Sequence, residues 1–424
     1  MTTLPRQALP GTENIKLTKL DNGIQVLVYE NPAVESVVIF GSLRAGSIYE
    51  PLKRSGIASL TADALLRGTT SRDFETLHSE LEDIGAELDT STGKHRVTFS
   101  GRSLAEDFST LMDVLADALR NPVFDSQELE EERVKRLTEL NFAHQDTRYM
   151  AARSLRQTMY PDTHAFHYST YGSPETLPGI TNDDLRDFHR KQYGPDGMIL
   201  VIVGAVSADI ATAIAGDALA DWENPHQAST PILPDIVAPS ELITIETAIT
   251  GKTQADIIIG TPGPSRYAED YLAAQLANSI LGEFGMMGRI GNVIREQLGL
   301  AYYAYSRLDG GEGQGAWTIT AGVAPQNVEL AVEKVRDEIQ KLTTELVSLE
   351  DLDDNQSYFT GRLPLRLESN FGLAATIHAI MQYDLGLDYL LAYHNRVFSI
   401  SREELLAATS HYLHPDRLIV SVAG

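Results

Sequence analysis

A chain that repeats itself at a fixed interval is built as two copies of one unit, and this one does so at an offset of 220 residues. Ile180-Thr-Asn-Asp-Asp-Leu185 recurs as Ile400-Ser-Arg-Glu-Glu-Leu405, and the same offset pairs Pro195 with Pro415, Asp196 with Asp416 and Gly204 with Gly424. Thr181 and Ser401 are natural N-caps with an acidic residue three positions on, the pattern of a capping box, so a helix starts at each. A Pro-Asp turn then leads into an apolar run, Met198 to Val203 or Leu418 to Ala423, with the length and content of a buried strand.

Between those ends both halves mix long amphipathic helices with grouped strands. Strands are expected at 24–29, 34–43, 257–261, 302–307 and 316–323. Helices are expected near 54–67, 73–84, 104–120, 126–158, 266–281, 288–298, 325–345 and 350–362, with more to 412. That pattern is α+β rather than a doubly wound sheet. Pro225, Pro231, Pro234 and Pro239 mark an extended linker. The expected division is therefore a domain over 1–222, a linker over 223–241 and a homologous domain over 242–424.

At 424 residues the chain is too long for one ordinary core. Its 34 Lys and Arg against 59 Asp and Glu, a formal charge of -25, exclude a nucleic-acid binder, which needs a basic footprint. Absence of cysteine excludes disulfides, thiolate metal sites and cysteine catalysis. The first ten residues lack the apolar run of a signal peptide, and no stretch has the length of a membrane span. The expectation is a soluble protein, cytoplasmic by preference and periplasmic if a signal peptide has been removed.

Residues 56–69 read Gly-Ile-Ala-Ser-Leu-Thr-Ala-Asp-Ala-Leu-Leu-Arg-Gly-Thr. In the inverted zincin motif H-x-x-E-H, two histidines on one helix face hold zinc and the glutamate activates water. Here those positions are Ser59, Ala62 and Asp63. A hydroxyl is a poor zinc ligand and alanine is no base, so zinc hydrolysis at this helix is not expected. The flanks Ala45-Gly-Ser-Ile-Tyr-Glu-Pro51, Gly56-Ile-Ala and Arg67-Gly-Thr69 resemble the pitrilysin and mitochondrial processing peptidase family of inverted-motif zinc peptidases. The likeness is to a bacterial processing-peptidase-like subunit without the zinc motif. It implies two homologous α+β domains, each a mostly antiparallel sheet packed with helices, making one half of a clam. It also implies that Glu132 and Glu139 stand where the family keeps an auxiliary acid and its third zinc ligand. An alternative is that Asp63, Glu132 and Glu139 form a carboxylate cluster for a hard cation such as calcium or magnesium.

The segment Arg295-Glu-Gln-Leu-Gly-Leu-Ala-Tyr-Tyr-Ala-Tyr-Ser306 resembles the family's arginine and tyrosine pair, which implies that Arg295 and Tyr302 donate hydrogen bonds to a substrate carbonyl. A guanidinium and a phenol suit an oxyanion that develops away from water. Strand alternation sends Tyr302 and Tyr303 to opposite faces. Leu88, Asp89 and Thr90 lie in a segment that resembles the family's substrate-pairing edge strand, although the family has Asn-Ala where this chain has Asp89-Thr90. His164-x-x-His167 and His411-x-x-His414 lack a third ligand and read as structural. Gly282-Glu-Phe-Gly-Met-Met-Gly288 lacks a P-loop lysine and is no phosphate cradle.

Three functional readings follow from the resemblance. In the first the chain is the non-catalytic partner of a heterodimeric zinc metallopeptidase. It holds no cofactor, while a homologous subunit with an intact H-x-x-E-H carries zinc and unfolded polypeptide is the substrate. The second is a structural scaffold like the core proteins of the respiratory bc complex. The third is a peptide-binding homodimer without zinc catalysis.

Overall fold

Both copies of the repeated segment fold alike because the same local chemistry starts them. The Thr181 N–H donates to Asp184 Oδ2 at 2.8 Å and the Ser401 N–H to Glu404 Oε2 at 2.8 Å, while each cap hydroxyl accepts in return from the N–H of the same acidic residue. The computed structural model describes residues 9–283 and 288–424. Most of the N-terminal decapeptide and the middle of the glycine-rich segment at 282–288 lie outside the described residues.

In chain order the first half supplies β1 (Ile15–Lys19), β2 (Gln25–Glu30), β3 (Ser36–Leu43), α1 (Ile57–Ala64), α2 (Phe74–Asp83), β4 (Glu87–Thr92) and β5 (Val97–Leu104). It continues with α3 (Phe108–Arg120), α4 (Ser126–Ala143), α5 (Thr147–Met159), α6 (Asn182–Gln192), β6 (Ile199–Gly204) and α7 (Ala208–Leu219). The second half supplies β7 (Ile243–Thr247), β8 (Ala255–Pro262), α8 (Tyr271–Asn278), the single turn α9 (Arg289–Gly291), β9 (Ala301–Leu308) and β10 (Ala316–Val323). Then come α10 (Val328–Thr344), α11 (Leu349–Arg366), α12 (Asn370–Gln382), α13 (Tyr389–Phe398), α14 (Arg402–Tyr412) and β11 (Ile419–Ala423).

One sheet has the order β1-β2-β6-β3-β5-β4 and the other β7-β11-β8-β10-β9. Within each, one pair is parallel, β2 with β6 and β7 with β11, and the rest are antiparallel. Removing β1 from the first order leaves the two superposable strand for strand, so β4 and β9 are equivalent edge strands. The α+β class read from the sequence is the class observed.

Local differences have local causes. The single helix expected over 126–158 is two, because Asp146 accepts the Tyr149 N–H at 2.7 Å and caps a new start. The helices expected at 266–281 and 288–298 each run into a π-helical segment, Ser279–Glu283 and Asn292–Gln297. Strands β1, β5 and β7 and helix α7 were not anticipated. Residues 224–240 carry no helix or strand.

Packing divides the chain differently from boundaries at 222 and 242. The first compact unit takes in residues up to Thr138, Tyr168–Ile232 and Leu363–Tyr393; the second takes in Glu139–His167, Leu233–Arg362 and His394–Gly424. In the first unit α12, from the second half of the chain, covers β6 and β3, where Leu373, Ala374 and Ile377 join a core with Leu27, Val38 and Val201. In the second unit α5, from the first half, covers β8 and β11. Its Leu155 and Met159 press so closely on Gly260 that a Cβ there would lie 2.9 Å from Leu155. Each sheet is thus covered by a helix encoded in the other repeat.

Candidate functional site

Helix α1 opens at Gly56, whose φ of 104° is left-handed and whose Cβ, if present, would meet the Gly172 backbone at 3.0 Å. The helix has no side-chain cap of its own at that position. Instead Glu50, from the upstream motif, accepts the N–H groups of Gly56 at 3.0 Å and Ala58 at 2.6 Å through Oε1. Burial pushes the Glu50 carboxyl up to about 8, against the opposing pull of those two bonds and of Arg136.

At the degenerate motif Ala62 is fully buried, Ser59 nearly so, and Asp63 is half-buried. The space the motif faces is taken by Arg136 of α4. Its Nη1 donates to Ser59 Oγ at 2.5 Å, its Nη2 donates to Asp63 Oδ2, and Glu132 Oε1, one turn earlier on α4, lies 3.7 Å from Nη2. The Arg136 side chain is only 6% exposed, and its guanidinium carbon stands 5.6 Å from the centre of the Tyr171 ring. Glu132 is further engaged by Arg67 at 3.7 Å and Lys135 at 3.5 Å. Burial raises the Asp63 carboxyl, Arg136 draws it down, and Glu132 adds to the rise. The buried Tyr193 hydroxyl has no hydrogen-bond partner among the described residues and is held protonated by burial and by the Asp63 charge.

These residues do not fit a zinc ion. Zinc wants nitrogen, sulfur or free carboxylate donors, and here a hydroxyl, a methyl group and a neutralised carboxylate surround a permanent cation. The hard-cation alternative is corrected by the same guanidinium, which takes up Asp63 and Glu132, while Glu139 is exposed further along α4. Among the described residues no three His, Asp or Glu side chains form a group that could hold a metal ion.

Strand β4 is docked on α1 by two threonines. Thr90 Oγ1 donates to the Ala62 carbonyl at 2.8 Å and Thr92 Oγ1 to that of Ala58 at 3.3 Å. Leu88 is buried on the same face, and Asp89 is exposed on the other. There Asp89 and Glu87 line a pocket of about 470 Å³ with Arg102 and Phe371. The opposite edge of β4 pairs with no described strand.

In the second unit Arg295 and Tyr302 come together. Arg295 rides on the π-helical segment, and its guanidinium carbon is 5.8 Å from the centre of the Tyr302 ring. Its Nε is 3.5 Å from Glu296 Oε1. Tyr302, on the edge strand β9, is 84% exposed. Tyr303 points the other way, donates its hydroxyl to buried Asp256 and lies under Arg148, 4.1 Å from its ring centre. The pair is therefore a set of hydrogen-bond donors beside a sheet edge, Tyr302 exposed and Arg295 half-buried. The His-x-x-His spacings serve the backbone or stack: His164 Nδ1 accepts the Phe166 N–H at 3.0 Å, His167 Nδ1 is 2.8 Å from the Tyr160 carbonyl, and His411 stacks on Tyr412.

Sequence reasoning missed Arg136 and Glu50. The signal for Arg136 was its place four residues after Glu132, on the same helix face.

A family model described as "Insulinase (Peptidase family M16)" matches residues 25–170, and one described as "Peptidase M16 inactive domain" matches 179–358. An uncharacterized zinc protease of Rickettsia felis is 27% identical over 89% of this chain and 88% of its own. The mitochondrial-processing peptidase subunit beta of Saccharomyces cerevisiae is 24% identical over 87% of this chain and 81% of its own. The fold matches a peptidase M16 inactive domain from Pseudomonas fluorescens, with TM-score 0.86 and 24% identity over 97% of this chain and 98% of that one. It also matches a protease from Helicobacter pylori, with TM-score 0.89 and 16% identity over 98% and 100%.

Proposed function

The chain belongs to the M16 peptidase family, and from that premise we propose that it is the non-catalytic partner subunit of a two-chain zinc peptidase. A homologous subunit with an intact H-x-x-E-H supplies zinc and the activated water. This chain supplies Arg295 and Tyr302, the β4 edge around Leu88, Asp89 and Thr90, and part of the wall around an unfolded polypeptide substrate. The observation that carries the reading is the contrast between its two sites. The vestigial helix is closed by Arg136, whereas the half-buried Arg295 and the exposed Tyr302 are held side by side. Among the relatives, one is itself named as a subunit of a processing peptidase.

In the reaction Arg295 and Tyr302 donate to a peptide carbonyl as it becomes an oxyanion, a gain that exists only in the transition state. Edge pairing at β4 aligns the substrate main chain and asks little of its side chains. The test is reconstitution with a homologue that carries the intact motif. Peptide hydrolysis appears only in the mixture, and Arg295→Ala or Tyr302→Phe in this chain lowers kcat by about 10²-fold while the two chains still co-elute. Unchanged turnover in both variants would reduce the chain to a scaffold.

A further inference from the structure

We infer that Arg136 is the resident cation of the first unit: a guanidinium that cross-links α1 to α4 in front of the vestigial motif and excludes a metal ion from it. The inference holds whether or not a partner chain supplies chemistry. A metal in an H-x-x-E-H helix does two things, since it binds the helix to a carboxylate from another element and it presents positive charge at the helix face. Arg136 does both. It joins Ser59 and Asp63 on α1 to Glu132 on α4, and it brings a charge that no accessible pH removes. Ser59 completes the fit, because its hydroxyl accepts from Nη1 and also lies 3.4 Å from the Gly56 carbonyl, to which it can donate.

The second unit carries an independent version of the same latch. There α8 and α11 are the topological counterparts of α1 and α4, and Arg362 of α11 reaches Glu283, at the end of the π-helical continuation of α8, at 3.4 Å. Its guanidinium lies against Tyr358 and Phe359, 5.1 and 4.5 Å from their ring centres, as that of Arg136 lies against Tyr171. In both units an arginine of the longer helix thus closes on the helix that follows the central strand. Arg136 also acts at a distance as a positioning residue. By fixing α1 it fixes the carbonyls of Ala58 and Ala62, on which Thr92 and Thr90 hang the edge strand β4.

Two full-length grafts test the exclusion: Ser59→His, Ala62→Glu and Asp63→His together, with Arg136 kept and with Arg136→Ala added, each titrated with zinc by calorimetry. A fixed positive charge a few ångströms from a divalent ion opposes binding strongly, so the graft that keeps Arg136 should bind at least about 100-fold more weakly. Equal affinity in the two, including no binding by either, overturns the exclusion. The cross-link is tested separately in the natural chain by amide hydrogen exchange, which needs no graft to fold. Arg136→Ala should speed exchange in α1 and β4 by about tenfold or more, and Arg136→Lys should recover part of that protection. Unchanged protection of α1 and β4 in Arg136→Ala overturns it.

Discussion

Replacing Glu50 with glutamine isolates one buried carboxyl, and the effect should depend steeply on pH. Burial lifts this group from an ordinary value of 4.5 to about 8, more than the Gly56 and Ala58 N–H groups and Arg136 take back. Between those two values the folded chain keeps a proton that the unfolded chain has released. The stability tied to Glu50 is therefore fully present below about pH 4.5 and is lost as pH rises through about 8. At about 1.4 kcal/mol for each unit of difference, the loss between pH 5 and pH 8 is about 3 kcal/mol. Glutamine keeps an oxygen for the two amides at the start of α1 and carries no charge at either pH. Urea unfolding of the natural chain and of Glu50→Gln at pH 5 and pH 8 gives four free energies, and the difference of their differences cancels every other titrating group. The natural chain should lose about 3 kcal/mol relative to the variant on going to pH 8. A gap that moves by less than about 0.5 kcal/mol, or that moves the other way, would show that the carboxylate is already charged at pH 5 and that its hydrogen bonds outweigh burial.

Ile377→Ala on α12 should lower stability by about 3 kcal/mol in urea unfolding, since the side chain is fully buried against the first sheet; no change would mean that α12 does not cover it. Protease nicking within residues 224–240 should leave both fragments co-eluting, because each carries a helix that completes the sheet of the other; separation on size exclusion would contradict the exchange. Excess chelator should leave the melting temperature of the isolated chain unmoved, as the tie between α1 and α4 is a guanidinium; a fall of several degrees would point to a structural metal.

What could be read from the sequence was local. The capping boxes at Thr181 and Ser401, the buried strands after them and the alternation that separates Tyr302 from Tyr303 each depend on residues a few positions apart. Arg295 and Tyr302 were singled out by resemblance to the family's pair, and they lie close together because the segment that carries both is short. The break at Asp146 was harder, since residues on both sides are good helix formers and only the carboxylate cap reveals it. Arg136 was hidden for a different reason. Its helix face is visible in the spacing from Glu132, but its partners Ser59 and Asp63 lie more than seventy positions away. The exchange of α5 and α12 could not be read at all, because an amphipathic pattern says that a helix has an apolar face without saying which sheet that face will meet.

That exchange sets an order of events during synthesis. Every strand of the first sheet has been made once residue 204 is reached, yet the helix that covers β3 and β6 begins only at Asn370. At a translation rate of about 5–20 residues per second, the face bearing Val38, Val201 and Val203 stays open to water for on the order of ten seconds or more. Folding of the first unit is thus gated by the ribosome finishing most of the second, and a chain stalled anywhere before α12 presents a long apolar sheet face to holdase chaperones and to other nascent chains.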